Sequence, residues 1–204
     1  MVLGLLTAVI WMHGGDGSDM VVVRKICPGI RVELRYGTPR NGVRRTVYPR
    51  GSRCLLRRAV AERLNRVQKA LEVQGLGLKI WDAYRPLSAQ KALWVIKPDK
   101  RFVALPSVGS KHNRGAAVDL TLVDSKGKEK PMPCDFDTFS PRASPKYSGG
   151  TAEQRHNRDT LRHAMLEAGF LPDKNEWWHF NAPEWKKYPL VNVPLVVSGR
   201  SNGN

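Results

Sequence analysis

Apolar residues recur along the chain with two different periods, and each period predicts an element. Between Arg53 and Val73, residues Leu56, Val60, Leu64, Val67 and Leu71 are spaced four, four, three and four apart, which is the repeat of one buried helical face. Ser52 is placed to cap that helix and Gly75 to take a left-handed position at its end. A period of two marks strands. Val21 to Tyr36 reads as an extended, half-buried segment in which Ile30 to Tyr36 alternates apolar and charged residues, broken by Gly37, Pro39 and Asn41-Gly42. Leu78 to Tyr84 predicts a second strand, ended at Arg85-Pro86, where proline removes a ladder donor. In a third, Val118, Leu120 and Leu122 share one face while Ala117, Asp119 and Thr121 share the other. That pattern turns a carboxylate inward, which is costly unless a cation answers it or the strand lies half buried at an edge.

The intervening sequence supplies helices and turns. Ser88 to Ile96 predicts a short helix stopped near Pro98, and Asp124 to Gly127 is turn chemistry. Thr151-Ala-Glu-Gln154 has the form of a capping box and opens a helix that turns Leu161, Met165 and Ala168 inward, with Gly169 closing it. Pro131 to Gly150 is rich in Pro, Ser and Gly and has little periodicity; in a compact domain such a loop is usually functional or disordered. The aromatic run Glu176-Trp-Trp-His-Phe180 favours a last strand, and Val-rich sequence follows Pro189. The elements add up to a single α+β domain, an antiparallel sheet flanked by helices, over residues 20–190, with 191–204 as a C-terminal tail.

Composition changes this picture at the margins. At 204 residues and 41% hydrophobic content the chain can bury one ordinary core. Its 34 Lys and Arg against 18 Asp and Glu give a net charge of +16, which favours polyanions as neighbours. The basic residues are scattered, however, and carry no zinc-finger, RNP or basic-zipper signature, so no specific nucleic-acid partner is expected. The three cysteines, Cys27, Cys54 and Cys134, form no C-x-x-C pair, and reduced thiols fit the cytoplasm most simply. Residues 1–19 begin with an apolar run from Met1 to Met12, too short to span a membrane. It is read either as a signal-peptide core, which would place the protein in the periplasm or outside the cell, or as a segment foreign to the fold with Met20 as the start. The missing basic residue before the run and the missing small-x-small site favour the cytoplasm.

Chemistry gathers on a few side chains. Of the five histidines, His13 lies in the N-terminal segment, and His156 and His163 stand seven apart on one helix face that reads as solvated. His112, Asp119 and His179 remain: two imidazoles and a carboxylate, a set suited to a catalytic zinc with an open fourth position for water. Glu176, three residues before His179, is the candidate general base. In a regular strand the two would point to opposite faces, so a bend at Trp177 or Trp178 is required. Arg85, at a strand end, is a candidate to stabilise an oxyanion, with a salt bridge to Asp82 as its structural alternative.

Taken together, Ser110-x-His112-x-x-Gly115-x-Ala117-x-Asp119 and Glu176-x-x-His179 resemble the zinc D,D-peptidases that share a fold with the Hedgehog amino-terminal domain. Leu34-Arg-Tyr-Gly-Thr38, Asp82-Ala-Tyr-Arg-Pro86, Phe136-Asp-Thr-Phe139 and Glu176-Trp-Trp-His179 are similar to the D-alanyl-D-alanine dipeptidases, the VanX-type branch, in the same order from about Ile26 to Phe180. The resemblance implies one zinc per chain on His112, Asp119 and His179, Glu176 as base and Arg85 on the tetrahedral intermediate. It implies a small D,D-dipeptide substrate, contacted by Ser110 and Tyr36, with its ammonium received by Asp137 or by Asp135 two residues away. The Pro131–Gly150 loop would roof the cavity. Within the same scaffold a D,D-carboxypeptidase, a peptidoglycan endopeptidase and a non-catalytic zinc-binding module are the alternatives.

Overall fold

A computed structural model describes residues 19–100 and 103–196. The long helical repeat forms as expected, but its first turn is spent differently. Leu55–Arg57 is a short strand (β3) that pairs with Met20–Val22 (β1), and the helix α2 starts only at Arg58 and runs to Glu72. Arg57, not Ser52, holds the N-cap position, and its side chain caps nothing. Strand pairing has overridden the helical period at Leu56. Val60, Leu64, Val67 and Leu71 are buried against the sheet, each worth about 1.5–3 kcal/mol of apolar burial.

The extended segment expected from Val21 to Tyr36 breaks into pieces: β1, a single turn Val23–Ile26 (α1), a two-residue strand Arg31–Val32 (β2) and a 3-10 turn Arg35–Gly37. Its alternation holds only over the few residues that pair. The main sheet also contains Leu76–Asp82 (β4), Ala117–Asp124 (β5), Leu171–Pro172 (β6) and His179–Asn181 (β7), in the order β2-β4-β5-β7-β6. All its pairings are antiparallel except β2 with β4. Helices Leu87–Ile96 (α3) and Ala152–Glu167 (α4) complete the α+β domain, and the capping box of Thr151 and Gln154 is present at the start of α4.

Residues 191–196 pack onto this core. Val191 and Leu195 are buried, the Val191 N–H donates to the Asn113 carbonyl, and the Arg53 N–H donates to that of Leu195. The packed domain therefore reaches into the stretch set apart as a tail. Residues 1–18, and with them His13 and the apolar run, lie outside the described residues. Among the described residues no helix is long and apolar enough to cross a membrane.

Two local features aim the sheet at one spot. A register shift between Ile80 and Asp82 brings Asp82 opposite Asp119, as a β-bulge does when it re-aims side chains. At the head of β5 the 3-10 turn His112–Arg114 ends on Gly115, whose φ of 68° is left-handed. A Cβ there would also sit 2.7 Å from the Met20 sulfur. Gly115→Ala is therefore expected to destabilise the fold by about 1–3 kcal/mol, read in thermal unfolding as a drop of roughly 2–4 °C per kcal/mol. An unchanged melting temperature would contradict this account of the turn.

Candidate functional site

Sheet register brings two of the predicted ligands together. Asp119 on β5 and His179 on β7 are directly paired across the ladder, and the 3-10 turn before Gly115 delivers His112 beside them. His112 Nε2 lies 3.2 Å from His179 Nδ1 and 3.3 Å from Asp119 Oδ2, and His179 Nδ1 lies 2.9 Å from Asp119 Oδ1. Among the described residues this is the one group of three or more His, Cys, Asp and Glu donors within 4.8 Å of one another. His156 and His163 are not part of it, and His163 pairs at the surface with Glu167.

The donor set fits a divalent metal. Tetrahedral bonds of the length usual for imidazole and carboxylate ligands place donor atoms roughly 3.3 Å apart, close to the spacings found. The outer hydrogen bonds also fix which nitrogen is free. The His112 Nδ1–H donates to the Ala83 carbonyl at 2.6 Å, and the His179 Nε2–H donates to Asn181 Oδ1 at 2.8 Å. When both rings are neutral, as metal binding requires, that leaves the Nε2 lone pair of His112 and the Nδ1 lone pair of His179 turned toward Asp119, the outer-shell arrangement of a metal site; with His179 protonated, its Nδ1–H donates to Asp119 instead. Burial works against the Asp119 charge, yet the His112 and His179 imidazoles outweigh it and hold the carboxyl below its usual range. Burial would likewise strip His179 of its proton, but the hydrogen bond and charge of Asp119 push it up to about 9.

Glu176 is brought to this cluster by the bend the sequence requires. Trp177 and Trp178 form a turn rather than a strand, closed by the His179 N–H on the Glu176 carbonyl, and β7 begins only at His179. Burial raises the Glu176 carboxyl to about 8, with the negative charges of Asp119 and Asp137 adding to the shift. Its side chain lines a 530 Å³ cavity with Lys100, Ser140 and Asp173.

Arg85 is buried on the other flank. Its Nε and Nη2 donate to Asp82 Oδ2 at 3.1 and 2.7 Å, its Nη1 donates to Gln90 Oε1 at 3.1 Å, and its guanidinium stacks 4.8 Å over the Tyr36 ring. The salt bridge that stood as the structural alternative for Arg85 is thus real, and it holds the side chain beside the histidines. Asp82 is fully buried, accepts from Tyr48 Oη at 2.6 Å, and lies 3.6 Å from His112 Nδ1. The Tyr36 hydroxyl and the Gly42 N–H both donate to Asp137 Oδ2, at 2.9 and 3.1 Å. Asp137 has a left-handed φ of 55°, and burial raises its carboxyl to about 6. Asp135 turns away to pair with Arg35, so of the two acids it is Asp137 that meets Tyr36. The Ser110 hydroxyl is buried with no hydrogen-bond partner, while its N–H donates to Asn113 Oδ1.

Sequence reasoning passed over Tyr48, Gln90, Asn113 and Asn181. Asn113 and Gln90 are fully buried amides whose partners are a backbone carbonyl and a guanidinium. Polar residues on the inner face of a short helix or turn were the available signal.

Two imidazoles and a carboxylate around one point, with a raised glutamate on one side and a buried arginine on the other, form the site of a metal-dependent hydrolase. The family model for peptidase M15, D-Ala-D-Ala dipeptidase, matches residues 16–194, and the chain belongs to that family. A D-alanyl-D-alanine dipeptidase of Escherichia coli (strain K12) is 35% identical over 176 residues, 86% of this chain and 91% of that protein. One of Streptomyces coelicolor is 31% identical over 82% of this chain and 93% of its own length, and one of Enterococcus faecium 29% identical over 76% and 87%.

The raised Glu176 carboxyl gives the metal-free protein a specific pH dependence. Between its ordinary 4.5 and about 8 the folded state keeps a proton that the unfolded state has released. Stability of the chelator-treated protein therefore falls as pH rises through that window. Denaturant titration across the window should show the slope flattened in Glu176→Gln; an equal slope in that variant would assign the dependence elsewhere.

Proposed function

We propose that this protein hydrolyses D-alanyl-D-alanine with one zinc ion held by His112, Asp119 and His179, and that Glu176 is the general base. The observation that carries the reading is the turn at Trp177 and Trp178, which brings Glu176 within electrostatic reach of His179 and Asp119 in a three-donor cluster of zinc-like spacing. The substrate named for the curated relatives agrees with it. The chemistry zinc supplies at such a set is Lewis acidity toward a carbonyl and a lowered pKa for water.

Each side chain then has a distinct task. Glu176 takes the proton of the attacking water on its carboxylate and returns it to the leaving amine. A raised carboxyl suits both halves, because the same oxygen must accept the proton and release it. Positive charge at the neighbouring donors favours the carboxylate form, so the base is linked to metal loading. Arg85, kept charged by Asp82 despite its burial, supplies donors where negative charge develops on the carbonyl oxygen. Asp137, held by Tyr36 and Gly42, receives the ammonium of the dipeptide. Ser110 offers its unpaired hydroxyl to a polar atom of the substrate, and Tyr36 supports both Arg85 and Asp137.

The test pairs a variant with a substrate panel. Zinc-loaded Glu176→Ala is expected to lose about 10²–10⁴-fold in turnover while retaining one metal per chain by elemental analysis. Near-normal turnover in that variant would overturn the mechanism, and preferential cleavage of a stem pentapeptide over the free dipeptide would replace the dipeptidase by a carboxypeptidase.

Asp137 gives a separate signature. Because its carboxyl is raised to about 6, the anion that holds the ammonium forms only as pH rises through that value. KM for the dipeptide should fall across that step, and Asp137→Asn should raise KM and remove the step. A pH profile of KM unaltered by the substitution would place the ammonium elsewhere.

A further inference from the structure

Gln90 is fully buried on α3, and its amide bridges two groups of opposite character. Oε1 accepts from Arg85 Nη1 at 3.1 Å, and Nε2 donates to the Ala104 carbonyl at 2.8 Å. The orientation is forced, because a guanidinium only donates and a carbonyl only accepts, so a flipped amide would lose both bonds.

The hydrogen bonds of Arg85 show what this bridge does. A guanidinium carries five N–H groups. Asp82 takes one from Nε and one from Nη2, both on the single oxygen Oδ2, and Gln90 takes one from Nη1. One N–H remains on each Nη. A clamp through one oxygen leaves the guanidinium plane free to swing about that point. The Tyr36 ring, its centroid 4.8 Å from the guanidinium carbon, blocks motion toward itself. Gln90 holds the far corner and removes the remaining swing. Ala104, its second partner, lines the same 530 Å³ cavity as Glu176. The amide therefore links the aim of the arginine to the wall of the cavity where the base sits.

We propose that Gln90 is a positioning residue for the reaction: it fixes the rotation of the Arg85 guanidinium so that its two uncommitted N–H groups point at the oxygen on which charge develops. This rests on the reading of Arg85 given above. A structural role alone would act on folding and on substrate binding. A positioning role acts on the transition state, because a donor misaimed by a fraction of its length loses strength where charge is greatest.

Zinc-loaded Gln90→Met keeps the length of the side chain and loses both polar groups; Gln90→Glu keeps an acceptor for Arg85 and loses the donor to Ala104. The expected result is a fall in kcat of about tenfold or more for Gln90→Met, with KM changed by less than about threefold and metal content unchanged. Gln90→Glu should recover most of the loss. In an Arg85→Lys background Gln90→Met should cost less than about twofold further, since neighbours acting through one group are not additive. Turnover of Gln90→Met within about twofold of the parent, or the full loss repeated in the Arg85→Lys background, would overturn the proposal. An independent arm needs no substrate. The Arg85 guanidinium nitrogens, observed by NMR, should show hindered rotation in the parent protein and free rotation in Gln90→Met; identical spectra would overturn the proposal. Absence of turnover in the parent on any D,D-peptide would instead defeat the dipeptidase reading, leaving the NMR result to decide on Gln90.

Discussion

Two buried carboxylates face each other across neighbouring strands, and the rest of the site is the answer to that arrangement. Asp82 and Asp119 are both buried and occupy paired positions on β4 and β5. Neither could hold a charge there unaided. Asp82 is answered by Arg85 and by the Tyr48 hydroxyl, Asp119 by two imidazoles. His112 stands between them, with Nδ1 on the Asp82 side and Nε2 on the Asp119 side. The two acids thus fix the place of the arginine and the position a cation would take, while the Ala83 carbonyl fixes the tautomer of His112.

Legibility in the sequence followed the range of the interaction. The stripe of α2, the Thr151 capping box and the alternation that turns Asp119 inward depend on neighbours a few residues away, and all three are in the structure. The early strand was misjudged because pairing with Leu55–Arg57, distant in sequence, stops β1 after Val22. His112, Asp119, His179, Glu176 and Arg85 could be chosen by residue type and spacing, since metal and acid–base chemistry restrict both. Tyr48 and Gln90 could not. Their partners are set by tertiary packing: a polar residue on the inner face of a short helix marks Gln90 as buried, but neither it nor a lone tyrosine names the charge beside it.

The charge balance has two separate origins. Lysines and arginines outnumber acids to give +16 for the whole chain, whereas the buried Asp82 and Asp119 and the half-buried Asp137 and Glu176 gather around the histidines. Other buried or half-buried arginines are consumed structurally, among them Arg35 by Glu33, Glu129 and Asp135, Arg57 by Asp19, Arg63 by Glu184 and Arg158 by Asp159. The basic excess therefore lies outside the site, and the site itself is where acidic side chains gather.

The packing of Val191 and Leu195 has a temporal side. Val191 closes onto Asn113, whose amide in turn holds the Arg85 carbonyl and the Ser110 N–H, and Tyr84 bonds to the Val191 carbonyl and the Val193 N–H. Every chemically active side chain leaves the ribosome before the segment 191–195 that braces them. A nascent chain can carry the complete set of reactive groups and still lack their fixed geometry until residues 191–195 have followed them.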